Sequence, residues 1–166
     1  PTQDGVSRWI GALLIRLIVP IWIFIGAFTK AQGATPKSLP RSILDAVGIV
    51  GIENHHLLLT VFVLIEFLFV GIMLFIPKCA RIAATSMLSI FLAVLLVELF
   101  AYGNFESCGC LGDHSLSPVV MFSIDFALLL GVVVFKPQTL SWAICKGNRG
   151  LIGVVIFVLL SWGYTI

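Results

Sequence analysis

Of the 166 residues, 60% are hydrophobic and 11% charged, with a mean hydropathy of +1.13, which excludes an ordinary soluble domain and leaves an integral membrane protein. The formal net charge is +2 and no basic run able to grip phosphates occurs, which excludes a nucleic-acid partner. A hydrocarbon core of about 30 Å takes roughly 20 apolar residues per helix, so the chain is expected to form one polytopic domain, residues 1–166, with about four or five spans.

In chain order, residues 1–9 are short and polar, with Arg8 and Trp9 suited to the depth of a membrane interface. Residues 10–29 are the first expected span. The run is too long for a signal peptide, Arg16 interrupts it and no small-x-small cleavage site closes it, so it reads as a retained helix. Pro20 should kink this helix, which a membrane helix tolerates when neighbours satisfy the freed carbonyl. Residues 30–56 are the longest polar connection and hold Lys30, Lys37 and Arg41. Within it Ile43, Leu44, Val47 and Val50 share a helical face, which predicts a short helix on the membrane surface. His55 and His56 are sequence neighbours and do not share a helix face, which favours a hydrated interfacial pair over a metal site.

The second span is residues 57–76, with Glu66 near its middle. Pro77-Lys78-Cys79-Ala80-Arg81 is a tight basic turn into the third span, residues 83–102, which carries Glu98. A fourth span starts at Pro118 and runs to about Phe135 with Asp125 inside it, and Lys136-Pro137 ends it. The last apolar run, residues 151–166, is short for a span and closes on Trp162 and Tyr164; we read it as a fifth hydrophobic helix. The expected fold is all-α and integral to the membrane: a four-helix transmembrane bundle plus a C-terminal fifth hydrophobic helix.

Between the third and fourth spans lies Ser107-Cys108-Gly109-Cys110-Leu111-Gly112-Asp113, a polar loop with two cysteines one residue apart. Such a pair can exchange electrons as a disulfide, can stay as inert thiols or a structural bond, or can share a soft metal; Gly109 removes the Cβ that would resist a tight turn. A disulfide closed over so small a ring is expected to be strained and easily reduced, which favours exchange over a staple. No Cys-x-x-Cys-His occurs for a c-type haem, and zinc would need further ligands that only His55, His56 or His114 could offer on that side.

Basic residues orient the chain. Arg8, Lys78, Arg81, Lys136, Lys146 and Arg149 gather on one side of the expected spans, whereas the other side mixes Lys30, Lys37 and Arg41 with Asp45, Glu53, Glu106 and Asp113. The positive-inside rule then predicts a multi-pass protein of the inner (cytoplasmic) membrane, with a cytoplasmic N-terminus and a periplasmic Cys108/Cys110 loop. Cys79 and Cys145 would face the reducing cytoplasm, where inert thiols are the simplest reading.

Arg16, Glu66, Glu98 and Asp125 fall inside spans, where an ionised group costs about 2.5–3.5 kcal/mol and seeks a partner in the bundle interior. At about 1.5 Å per residue, Arg16 lies roughly 9 Å and Glu66 roughly 15 Å from the cytoplasmic edge, which predicts an Arg16–Glu66 structural ion pair. Glu98, roughly 6 Å from the outer edge, and Asp125, roughly 10 Å from it, lie beneath the cysteine loop by the same arithmetic. Thiol exchange needs a proton acceptor, for which Glu98 is the first candidate, with Asp125 and His114 as alternatives; a purely structural role suits each of them too.

Arg16-Leu17 followed by Gly26 and Lys30, then Glu66 and Gly71, then Ser-Cys-Gly-Cys-Leu-Gly before a fourth span together resemble the DoxX-like superfamily, specifically its methylamine-utilisation MauE branch, over about residues 10–135. The resemblance implies a four-helix membrane bundle distantly similar to disulfide-forming membrane proteins and to vitamin K epoxide reductase. It also implies a role in maturing, or supplying electrons to, disulfide-rich periplasmic partners. It carries a redox role onto Cys108 and Cys110 and a structural role onto Arg16, Lys30 and Glu66. Pro20 stands where the family often has glycine, and the helix at about 150–166 lies outside the four-helix core. The expected activity is thiol/disulfide exchange with a periplasmic redox protein or a membrane electron-transfer complex, in a lipid setting. The competing reading is a non-catalytic structural or anchoring subunit of a larger membrane complex, and handling of a metal or small solute by the intramembrane acids ranks last. Whether the protein is itself an oxidoreductase stays open, as does any cofactor; a quinone ring is conceivable beneath the loop, but no residue pattern identifies one.

Overall fold

The computed structural model describes residues 3–33, 40, 43–45, 48, 54–103, 117–135 and 148–165, and all regular structure among them is helical. The first helical rod comprises α1 (Gln3–Leu13), a π-helical turn (Leu14–Ile18) and α2 (Val19–Gly33) in unbroken succession. Three further long elements are α3 (His55–Phe75), α4 (Ala80–Phe100) and α5 (Pro118–Val134), and α6 (Asn148–Thr165) follows. Among the described residues three helices are long and apolar enough to cross a membrane, Ser7–Gln32, His56–Phe75 and Ala80–Phe100; Pro118–Val134 and Gly150–Ser161 are shorter apolar helices.

Local chemistry accounts for the ends. The Asn54 side chain accepts from the Leu57 amide (3.1 Å) at the start of α3, and Ser117 accepts from the Val120 amide at the start of α5, with Pro118 in the first turn where its missing N–H costs nothing. Pro20 cannot donate to the Arg16 carbonyl as an α-helical residue would. The disturbance expected of it is expressed one step earlier, where the Val19 amide reaches back to Leu14 and makes the wide π turn.

Two boundaries differ from the sequence expectation. The first helix begins at Gln3 and continues to Gly33, so Lys30, placed by sequence in the polar connection, belongs to the last turns of α2. Hydropathy marks where lipid ends, whereas a helix continues as long as its own hydrogen bonds and neighbouring helices support it.

α3 lies among α2, α4 and α6, and α5 packs along α4, with the π turn touching both of these. The turn at 76–79 joins α3 to α4 as an antiparallel pair, closed by Cys79 N–H donating to the Ile76 carbonyl (3.1 Å). Arg81, at the start of α4, donates from Nη2 to the Val133 carbonyl (3.0 Å). That carbonyl is among the last of α5, which an α-helix leaves unpaired, so Arg81 caps its neighbour and sets α5 antiparallel to α4.

Small residues set the spacing. Ala80, Ala83 and Ala84 of α4 are buried among Ile15, Val19, Val70 and Val132. At the α3–α6 crossing, Gly71 faces Val154 and Gly153 faces Phe75, each so close that a Cβ would crowd its neighbour (3.2 and 2.7 Å). Above this crossing Phe24, Phe67 and Phe157 form a ring cluster with centroids 5.7–6.3 Å apart. Ile43–Asp45 is helical, with Ile43 and Leu44 resting on the cluster of Ala27, Leu58, Leu59, Val63 and Phe67, as an amphipathic surface segment would. Val47 and Val50, the other positions of that segment's expected face, and most of the connection itself lie outside the described residues. The end of α2, the start of α3, the end of α4 and the start of α5 thus share one end of the bundle, which is where the connection carrying the cysteines attaches.

Candidate functional site

Among the described residues, four charged side chains are withdrawn from the surface: Lys30, Glu66, Glu98 and Asp125 are 7%, 1%, 0% and 1% exposed. They come from four different helices, α2, α3, α4 and α5, so the site exists only when the bundle is assembled.

Lys30 Nζ forms a salt bridge with Glu66 Oε1. This corrects the expected Arg16–Glu66 pair. The depth arithmetic treated Lys30 as a loop residue, but continuation of α2 to Gly33 keeps it inside the bundle, and its long flexible stem carries the ammonium inward to Glu66. Arg16 sits instead in the π turn, about 20 Å along the rod from Lys30 at 1.5 Å per residue, and is engaged elsewhere. The Phe91 ring lies 5.4 Å from Lys30 Nζ, so the ammonium has an aromatic face as well as a carboxylate. Glu66 Oε2 is buried with no hydrogen-bond partner among the described residues.

Asp125 is held by a second helix: Trp22 Nε1 of α2 donates to its Oδ1 at 2.8 Å. Leu95, Met121, Trp22 and Phe122 form the apolar packing around this bond. Trp22 and Lys30 therefore present two polar anchors from one helix to two acids on others. Trp22 was not singled out from the sequence. The available signal is spacing, since Trp22, Gly26 and Lys30 recur every fourth residue and share a helix face.

Glu98, the first sequence candidate for a proton relay, is wholly buried in the last turn of α4 and has an interaction partner. Just beyond it Tyr102 donates its hydroxyl to Asp45 Oδ2 (2.7 Å), tying the end of α4 to the surface segment. Cys108, Cys110 and His114 lie outside the described residues, as does Cys145; Cys79 is a free, exposed thiol in the turn at 76–79, at the other end of α4. His56 is exposed at the start of α3. Among the described residues no three His, Cys, Asp or Glu side chains converge as metal ligands.

Apolar helices of spanning length packed around a buried ion pair and further buried acids define a multi-pass, all-helical membrane protein. Such a protein keeps charge in its interior for a structural or chemical purpose. The chain belongs to the family of the methylamine utilisation protein MauE, whose model matches residues 7–136. That match covers the rod from residue 7 on, α3, α4, α5 and the connection with both cysteines, and leaves α6 outside it. No curated protein and no solved structure matches the chain.

Proposed function

We propose that this membrane protein exchanges thiol and disulfide equivalents with a periplasmic redox partner or an electron-transfer complex through Cys108 and Cys110. In the oxidising direction the thiolate of one cysteine attacks a partner disulfide and forms a mixed disulfide, which the second thiolate then resolves. The chain is left with a Cys108–Cys110 disulfide, and the partner gains two electrons and two protons as a dithiol; the reverse step runs the other way. Glu98 is the proton acceptor in this reading. The observation that supports it most is the position of Glu98, buried in the last turn of α4 at the end of the bundle where the connection bearing both cysteines attaches.

The finer assignments follow from the same reading. The rod, α3, α4 and α5 are a four-helix bundle of DoxX-like type, corresponding to the core at about 10–135, and α6 is an added fifth span. The N-terminus is cytoplasmic and the cysteine loop periplasmic, as the basic residues on the side of Arg8, Lys78 and Arg81 require under the positive-inside rule. The family's name points to methylamine utilisation as the setting, and a thiol-exchanging cysteine pair suits a partner that carries disulfides.

The test is differential alkylation of the thiols in native membranes, read by mass spectrometry across a series of dithiol potentials. A reversible Cys108–Cys110 couple, with a partner trapped as a mixed disulfide by Cys110→Ser, is the expected result. Thiols that never oxidise, or a bond that never reduces, would overturn it in favour of a non-catalytic anchoring subunit.

A further inference from the structure

Trp22 and Lys30 of α2, Phe91 and Leu95 of α4, and Met121 and Asp125 of α5 line a recess of about 20 Å³. A cavity needs roughly 10–15 Å³ of such space to hold one water, and a polar cavity fills where an apolar one stays dry. Lys30 brings an ammonium donor and Asp125 a carboxyl acceptor to its wall, two polar partners, which is enough to hold one water, while the single indole N–H of Trp22 is already given to Asp125. Size excludes most other occupants.

The groups around it connect. Trp22 is bonded to Asp125, Lys30 is bonded to Glu66, and the recess separates these two pairs. A water placed there completes a line from Glu66 through Lys30 to Asp125 and Trp22, across three helices. The charged groups that face it are Lys30 from α2, with Glu66 behind it from α3, and Asp125 from α5; from α4 the lining is apolar, with Glu98 further along the face that carries Phe91 and Leu95.

We propose that the recess binds a single water molecule and that this water, with Asp125, Lys30 and Glu66, forms a proton-exchange site inside the membrane. The step is balanced: a hydronium proton arriving at the recess passes to the Asp125 carboxylate, giving water and a neutral carboxyl, and the reverse step returns it. Lys30 offsets one of the two carboxylates throughout, so the local formal charge is neutral with Asp125 protonated and minus one with it ionised. The site needs neither cysteine, so it stands or falls separately from thiol exchange.

The reporter is the Trp22 indole N–H, which abuts both the acid and the water. Its exchange into D2O is followed by nitrogen–proton NMR on the full chain in lipid nanodiscs, with the signal assigned by its loss in Trp22→Phe. In the wild type it should exchange at least about tenfold faster than the amide of a core residue such as Val70. Leu95→Phe, which fills the recess, and Asp125→Asn, which keeps an oxygen for the indole but cannot take the proton, should each slow it by about tenfold or more. An indole as protected as the core amides means a dry recess and overturns the proposal. So does Asp125→Asn exchanging at the wild-type rate, which would mean water without proton transfer at the carboxyl, or Leu95→Phe doing so, which would put the water elsewhere. Should Asp125→Asn not fold, the pH profile of wild-type indole exchange takes its place: a break in that profile where a carboxyl titrates supports the transfer, and a profile parallel to that of the core amides overturns it.

Discussion

Lys30 and Glu66 meet where neither has bulk water to return to, so each depends on the other more than a surface pair would. Removing one partner of a buried pair costs about 3–5 kcal/mol, because it strands the other charge, while replacing both by uncharged groups is close to neutral. Lys30→Met should therefore destabilise the protein by about that amount, and adding Glu66→Gln should restore most of the loss. Reversible unfolding in mixed micelles checks this; equal and additive losses would mean that the two residues act separately. Tyr102 makes a different prediction. Its hydrogen bond to Asp45, then partial dehydration and the negative charges of Asp45 and Glu98, push its phenol above the ordinary tyrosine value. The bond is present while the phenol is protonated and is lost as pH rises through the raised value. Ultraviolet titration should show a tyrosinate step above about 10 that moves back toward the ordinary value in Asp45→Asn; a wild-type step already at the ordinary value would count against the contact.

At the scale of elements, the α3–α6 crossing depends on having no side chain at two positions. A Cβ at Gly153 would stand 2.7 Å from the Phe75 ring, and one at Gly163, on the same helix, would meet nothing within 4 Å. Gly153→Val should cost about 1–3 kcal/mol through overpacking, whereas Gly163→Val should change little. Thermal unfolding of the pair in lipid nanodiscs separates the two, and equal effects would mean that α6 does not pack on α3 through this face. Neither glycine could be ranked from sequence, since hydropathy does not tell which glycine meets a neighbour. The cap made by Arg81 is similar: the residue reads as a topological charge until the end of α5 is placed beside it.

Across the whole molecule, α4 separates two sets of cysteines. Cys79 precedes it, exposed in its turn, and Cys108 and Cys110 follow it in sequence. With the proposed orientation, a membrane-impermeant maleimide applied to the periplasmic face of reduced cells should label Cys108 and Cys110 and spare Cys79. Labelling of Cys79 instead would invert the topology and put the redox loop in a compartment that keeps thiols reduced.

Composition and hydropathy by themselves determined that this is a helical membrane protein, where its apolar helices fall to within a few residues, and that Glu66, Glu98 and Asp125 would be inside. These are properties of local segments, because lipid selects apolar runs and forces any charge within them toward the protein interior. Pro118 as the start of α5 and the basic turn before α4 were legible for the same reason. Tertiary structure alone decided which charges meet. Lys30 takes Glu66 in place of Arg16, and Trp22 holds Asp125 from another helix, because partner choice depends on how far α2 continues and how its Trp22–Gly26–Lys30 face is turned toward α3, α4 and α5. No single segment carries that information; it arises when four helices close around the same small volume.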